Sequence, residues 1–415
     1  MPTVQLKNNS QPDITYLPNY KKWKARTAHR LEKEILPTDL PAKFPKRLYG
    51  PKVWTGSDYE GKEGQWIYTM SKDELQEIHI AILAFEKTKR PLFDINQDTF
   101  PLCFLGPTIK KLIHEDVVDG RGFLILRGLD PEKYTRHQQI IAYAGISSYV
   151  GRRGLQGAHI SKTRILINFG TDHIKDMAPE RGIDTILAPS YTNDHQVYHT
   201  DAGDIISLFA IGVAELGGKS KIASSWTVYN KLASTRPDLI HTLSEPWTFQ
   251  SLSDINEHMC YKRPLLYYED NHLIIQYARR KFTGFGCKPR SESIPPITEA
   301  QAEALDALHY ISEKNHLDIE FKKGDIQYIS NLSIFHAREG FIDSTVNRRH
   351  LLRLWLHPEN PWKLPEQLQP LWNAIFNHNH KETFPPEPVI RWFLGIGFGG
   401  ILCRAISIPN IPNLD

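Results

Sequence analysis

Cysteine is scarce in this sequence. The 415-residue chain holds four, Cys103, Cys260, Cys287 and Cys403, without any short paired spacing. That excludes a disulfide scaffold and a cysteine zinc site, and predicts free thiols in a reducing compartment. Charge of one sign is lacking as well: 50 Lys and Arg face 47 Asp and Glu, a formal +3. So near a balance gives no reason to expect a nucleic acid or a membrane as the partner, and a neutral or anionic small molecule is the better expectation. The one long apolar run, WFLGIGFGGIL at 392–402, is about half of the roughly 20 residues that cross a bilayer, and is expected to pack on the domain or on a partner subunit. The first residues, MPTVQLKNNSQPDITY, carry neither a secretory nor a transit pattern, so a cytoplasmic protein is expected. No internal repeat, no Gly-rich phosphate loop ending in Lys-Ser/Thr, no Gly-x-Ser-x-Gly elbow and no His-Glu-x-x-His is present. Solenoid, nucleotide-hydrolase, esterase and zincin readings therefore lose their usual anchors.

What is present is a soluble composition, 40% hydrophobic and 23% charged, with helical and strand patterns in succession. Residues 1–65 are Pro-, Lys- and Tyr-rich with little periodicity and read as an irregular arm. Residues 66–360 read as the main domain, and 361–415 as an extension packed on it or on a second copy. Ser71-Lys-Asp-Glu74 is a capping box for a helix reaching about Lys87, since the hydroxyl and the carboxylate satisfy each other's orphan amides. A second helix is expected from Pro107 to the Gly120 region, a buried strand over 122–127, and a helix over 132–149. Short apolar runs then follow at 164–169, 205–211, 221–225, 265–268, 273–277, 326–329 and 351–356. Glu269-Asp-Asn-His272 is a hairpin turn, and helices interrupt at 227–233 and 297–313. The sum predicts an α+β, mainly β fold: a double-stranded β-helix (jelly roll, cupin-like) core with flanking helices.

The chemistry concentrates at Tyr198-His199-Thr200-Asp201. In an extended segment, residues i and i+2 point to the same face, so one metal can take both His199 and Asp201. His336, at the end of Asn331-Leu-Ser-Ile-Phe-His336, is the candidate third ligand. Two His and one carboxylate with open positions is the ligand set of non-haem Fe(II) oxygenases. The His-x-Asp spacing alone is weak, because about one is expected by chance at average composition. A second copy, His316-Leu-Asp318, does occur, but so close before His336 that little chain remains to bring the two together as facing strands. Downstream, Arg348-Arg349-His350-Leu-Leu-Arg353 places Arg349 and Arg353 on one strand face, where a guanidinium fork can pair with a carboxylate.

The ordered set Gly122-Phe-Leu-Ile-Leu-Arg-Gly128, His199-Thr-Asp201, Gly217-Gly218-Lys-Ser220, Lys323-Gly-Asp325, Asn331 to His336 and Arg349-His-Leu-Leu-Arg353 resembles the taurine dioxygenase (TauD/TfdA-like, clavaminate synthase-like) family over about 122–357. That resemblance implies Fe(II) held by His199, Asp201 and His336, with 2-oxoglutarate and O2 as co-substrates. It implies that Arg349 binds the distal carboxylate of 2-oxoglutarate, helped by the Ser220 hydroxyl, and that Arg353 holds either that co-substrate or the anionic end of the primary substrate. Arg279, Arg280 and Asn193 are further candidates for lining the substrate pocket, and Trp226, Phe335 and Trp355 for packing around it. The expected reaction is oxidation of a C–H bond in a small anionic amino acid, carboxylate or sulfonate, with release of succinate and CO2. Two other classes share the ligand set: a non-catalytic metal-binding jelly roll, and a metal-dependent hydrolase or lyase that does not use O2. A homo-oligomer is compatible with everything above.

Overall fold

The computed structural model describes residues 10–156, 169–186, 188–250, 260–286, 289–377 and 381–388. Two sheets face each other at its centre. One has the order β1 (Ile67–Thr69), β2 (Phe123–Arg127), β14 (Ile326–Ser330), β6 (Ile205–Gly212), β17 (His350–His357) and β3 (Arg152–Gly154), with β4 (Asp172–Lys175) also on β17. The other has the order β13 (Leu317–Ile319), β8 (Ser220–Ser224), β15 (Ile334–Arg338) and β5 (Gln196–His199). Apart from the parallel β1–β2 pair the ladders of both sheets are antiparallel. Three small ribbons accompany them: β7 (Leu216–Gly217) with β16 (Phe341–Ile342), β9 (Trp247–Gln250) with β10 (Cys260–Arg263), and β11 (Leu266–Glu269) with β12 (His272–Ile275).

Alternation along the strands builds four layers. Phe123, Ile125 and Ile329 of the first sheet meet Ile222, Leu317, Ile319 and Ile334 of the second in one buried cluster. The intervening Leu124, Leu126, Phe209 and Tyr328 turn outward against Ile78, Ile82 and Phe85 of α2 (Lys72–Thr88), Ile109 of α3 (Leu105–Leu112) and Ile140 of α4 (Arg136–Ser147). Ala223, Phe335 and Ala337 of the second sheet likewise turn outward, toward α6 (Ser225–Thr235), α7 (Pro237–Ser244) and α9 (Glu299–Asn315). A strand covered on both faces needs a continuous apolar run, which is why Phe-Leu-Ile-Leu at 123–126 shows no alternation in sequence.

The sandwich with flanking helices agrees with the expected fold class. The α2 capping box forms as read, with Glu74 N–H donating to Ser71 Oγ and Ser71 N–H to Glu74. The hairpin turn also forms, with Asp270 and Asn271 at φ 49° and 62°. Other expectations shift. The helix expected from Pro107 starts at Leu105 and continues past Leu112 as a π-helical turn, Ile113–Val118. The helix expected over 132–149 is α4, entered through a second capping box, Thr135 with Gln138, that ends the preceding 3₁₀ turn. The arm read as irregular carries α1 (Tyr20–Lys33), which docks on α9 through buried ion pairs, Arg26 to Asp306 at 2.8 Å and Arg30 to Glu303 at 2.5 Å, and through the rings of Tyr20 and Trp23 on Tyr310. Most of the run at 164–169 and all of 392–402 lie outside the described residues. No helix among the described residues is long and apolar enough to cross a membrane.

Two of the sequence motifs turn out to be scaffold. Arg127 grips the fully buried Asp325 with both ends of its fork, Nε to Oδ1 at 2.8 Å and Nη2 to Oδ2 at 2.7 Å. Gly324 beside it sits at φ +91°, where a Cβ would stand 1.5 Å from the Leu129 carbonyl oxygen, so only glycine fits.

Candidate metal centre

β5 and β15 pair so that His199 and His336 are directly opposite, which puts both imidazoles on the inner face with ring centroids 4.1 Å apart. Asp201 follows two residues after His199. The ligand atoms of the three side chains lie within 4.8 Å of one another, and no other group of three His, Cys, Asp or Glu residues converges in this way among the described residues. The competing pair is excluded by position: His316 and Asp318 flank the start of β13, bond each other at 3.1 Å, and find no third partner of ligand type.

The surrounding groups prepare each member for a cation. His199 Nδ1 lies 2.9 Å from the Val197 carbonyl, which fixes the proton there and presents Nε2, 3.8 Å from Asp201 Oδ1. His336 Nδ1 is buried without a partner among the described residues. Burial holds His199 below the ordinary imidazole range, and burial together with the neighbouring His199 holds His336 at about 3. Both are therefore neutral lone-pair donors at physiological pH. Burial opposes ionisation of Asp201, but the Arg353 guanidinium, helped by the Trp355 indole N–H, outweighs it and keeps the carboxyl well below the usual carboxylate range. Two neutral imidazoles and one ionised carboxylate, with no further His, Cys, Asp or Glu converging among the described residues, fit a divalent first-row metal with open positions.

Asn331 fixes Asp201 through the backbone. Its Oδ1 accepts the Asp201 N–H at 2.8 Å and its Nδ2 donates to the Asp201 and Gly203 carbonyls at 2.9 and 2.7 Å. Thr200, between the two ligands, exchanges backbone and hydroxyl bonds with Tyr277. The conformation of the His-x-Asp segment is thus set by residues that are distant in sequence.

Arg349 lies just before β17, buried, with Nη1 lacking a partner among the described residues. Gly218, at φ +75°, lets the backbone pass so close that a Cβ there would meet Arg349 Cδ at 3.2 Å. Arg338, which the sequence reading missed, stands two residues beyond His336 and directly across the ladder from the buried Ser220. Its Nη2 ties down the carbonyls of Thr192 and Asp194, while Nε and Nη1 are buried without partners among the described residues. Both guanidinium groups lean on the Phe341 ring, at 4.9 and 5.5 Å from its centroid. Buried cations with unspent donors and no bound carboxylate demand an anion. The signal available in sequence was the i, i+2 relation between His336 and Arg338, the same relation that joined His199 to Asp201.

Two assigned roles are corrected. Arg353 is not a vacant anion anchor: Nε donates to Gln156 Oε1 at 2.8 Å, Nη1 to Asp201 Oδ2 at 2.7 Å and Nη2 to Asp172 Oδ2 at 2.8 Å. These bonds orient the Asp201 carboxylate, and Trp355 Nε1 donates to the same oxygen at 3.3 Å. Arg279 turns away from the site, with Nη2 on Asp306 Oδ1 at 2.7 Å and Nε on the Thr15 carbonyl at 2.9 Å. Its neighbour Arg280 is near enough for its charge to bear on Asp201 and His199. The Asn193 carbonyl accepts the Phe341 N–H at 3.0 Å, and the residue itself is exposed.

Comparison with known proteins gives a consistent picture. The family described as taurine catabolism dioxygenase TauD, TfdA matches residues 88–355. A taurine hydroxylase-like protein, SAT17, of Stachybotrys chartarum is 35% identical over 379 residues, covering 88% of this chain and 97% of the relative. An FR-33289 synthase of Streptomyces rubellomurinus is 25% identical over 331 residues, covering 78% of this chain and 94% of the relative. Among solved structures, an asparagine oxygenase with Fe(II), 3-hydroxyasparagine and succinate has the same fold, with a TM-score of 0.54 at 13% identity over 70% of this chain and 93% of that one. The non-haem iron oxygenase OrfP with Fe, succinate and (3S)-hydroxy-L-Arg gives a TM-score of 0.51 at 13% identity over 70% of this chain and 94% of that one.

Proposed function

The chain belongs to the taurine catabolism dioxygenase TauD, TfdA family, and from that premise we propose that it is an Fe(II)- and 2-oxoglutarate-dependent dioxygenase acting on a small anionic substrate. The observation that carries this reading is the convergence of His199, Asp201 and His336 within 4.8 Å beside the buried, anion-seeking Arg349. Bound Fe(II), with 2-oxoglutarate and O2, supplies oxidative decarboxylation of the co-substrate to succinate and CO2 coupled to oxidation of a substrate C–H bond.

The chain's own contribution is binding and orientation. His199, Asp201 and His336 would hold the metal. Arg349, with Ser220 across the pocket, would take the distal carboxylate of 2-oxoglutarate through a charge-assisted pair, which fixes the co-substrate in one direction. Arg353 keeps Asp201 ionised and orients it. Arg280, whose charge bears on Asp201 and His199, would face an anionic group of the substrate, and Asn193 would border the entrance. An amino acid, carboxylate or sulfonate fits that demand, and the naming of SAT17 as taurine hydroxylase-like supports the sulfonate or carboxylate end of the range.

The test is an anaerobic titration of 2-oxoglutarate into Fe(II)-loaded protein, read as a visible metal-to-ligand charge-transfer band, followed by a substrate screen scored as succinate release. We expect the band, its weakening in Arg349→Ala, and strict O2 dependence, with His199→Ala as the blank. Turnover without O2 would favour a hydrolase or lyase, and metal binding indifferent to 2-oxoglutarate a non-catalytic jelly roll.

A further inference from the structure

The segment 10–19 lies outside the region matched to the family, residues 88–355, yet it reaches the strand that carries His199. Gln11 bridges two elements, donating to the Phe282 carbonyl at 3.0 Å and accepting the Ile297 N–H at 3.2 Å. The Thr15 carbonyl is held by Arg279, itself locked to Asp306 of α9. Arg26 of α1 donates to the Asp13 carbonyl at 2.9 Å and pairs with the same Asp306. The segment is therefore strapped to the domain at several points along its length. Between Gln11 and α1, Tyr16 stacks edge-on against Phe285 at 4.8 Å, and its hydroxyl oxygen accepts the Val197 N–H at 3.3 Å.

Val197 stands where the β5–β15 ladder is irregular. The register pairs His336 with His199 and then Arg338 with Gln196, so Val197 and Tyr198 together oppose Ala337 alone. A bulge takes amides out of the ladder and re-aims the side chains beside it. The Val197 N–H is bonded by the strap, while the Val197 carbonyl bonds His199 Nδ1 at 2.9 Å. One peptide unit on either side of Val197 thus links the Tyr16 hydroxyl to the imidazole.

We propose that residues 11–16 form a strap over the metal centre, in which the Tyr16 hydroxyl holds the β5 bulge and thereby positions His199 as a ligand. This rests on His199 being a metal ligand. The strap also borders the anion pocket, because the charges of Arg280 and Arg338 bear on the Tyr16 hydroxyl. Arg279, nominated from sequence for the substrate, acts in this arrangement by holding the strap.

The test uses the full-length protein and the variants Tyr16→Phe, which removes one oxygen, and Gln11→Ala, which loosens the far end of the strap. Hydrogen exchange should show the Val197 amide exchanging about tenfold faster or more in Tyr16→Phe, since an amide opens more often once its acceptor is gone. Anaerobic Fe(II) affinity should fall roughly tenfold, the lower end of what loss of an outer-shell contact costs a metal site. The charge-transfer band with 2-oxoglutarate should shift, and Gln11→Ala should show the same changes in weaker form. Unchanged exchange at Val197, or faster exchange with wild-type iron affinity and band position, overturns the proposal. His199→Ala binding iron as tightly as the wild type would instead overturn the ligand assignment beneath it.

Discussion

Arg353 Nη1 donates to Asp201 Oδ2 at 2.7 Å, leaving Oδ1 as the carboxylate oxygen nearer His199. One oxygen is thus occupied by a cation of the protein and the other is turned toward the imidazoles. Replacing Arg353 with Gln removes the main charge that keeps Asp201 ionised and takes one donor from Asp172, whose Oδ2 also accepts from Arg353. Metal affinity should fall by about 10–100-fold, as for other contacts that orient a metal ligand. Isothermal titration with Fe(II) under anaerobic conditions measures it. An unchanged affinity, with only the KM for substrate raised, would return Arg353 to the anion-anchor role first assigned to it.

Arg349 allows a sharper test than simple loss of activity. Arg349→Gln keeps a donor but loses the charge, and a buried charge-assisted pair is worth about 2–3 kcal/mol, so the Kd for 2-oxoglutarate should rise roughly 30–100-fold. The affinity for 2-oxopentanoate, which lacks the distal carboxylate, should stay within about twofold, since this ligand never makes the pair. If both affinities fell together, Arg349 would be supporting the site's shape and not the carboxylate.

The convergence of His199, Asp201 and His336 was legible only in company: the period of two puts His199 and Asp201 on one face, but the same spacing recurs at His316 and Asp318, and the ordered set running on to Arg349 chose between them. The partners of Arg353 were not, because Gln156, Asp172 and Asp201 come from three separate stretches, and spacing reveals a face but not its contents. Arg279 and Arg280 were nominated together, yet adjacent residues diverge, one into α9 and one toward the site. The helix α1 escaped notice for a related reason. Its sequence, YKKWKARTAHRLEK, has little apolar periodicity, and it is held by ion pairs to Asp306, Glu303 and Asp238, some 200 residues away or more.

Lys52 gives a pH test of the fold. Burial pushes its amine down from 10.5 to about 7, against a weaker opposing pull from Asp119, while its Nζ donates to the Val117 and Gly120 carbonyls. From about pH 7 to 10.5 the unfolded chain carries this proton and the folded chain does not. Stability should therefore rise with pH through that window, by up to ~1.4 kcal/mol per unit from this group. In Lys52→Met the contribution disappears. Urea unfolding of both proteins between about pH 7 and 9 should give a flatter pH dependence for the variant, and parallel curves would place the Lys52 pKa near its ordinary value.

Gly324→Ala tests whether the Lys323-Gly-Asp325 motif serves the scaffold or the chemistry. A methyl at φ +91° would meet the Leu129 carbonyl at 1.5 Å, so the turn must move, and Asp325, which takes both ends of the Arg127 fork and the Lys322 N–H, must move with it. Strain and displacement together should cost about 3 kcal/mol or more. Because this turn lies at the start of β14 and supplies no ligand, the protein that remains folded should bind Fe(II) and 2-oxoglutarate with wild-type affinity. Thermal unfolding monitored beside the anaerobic charge-transfer titration separates the two effects. A stable variant with a weakened band would mean that the turn shapes the site directly.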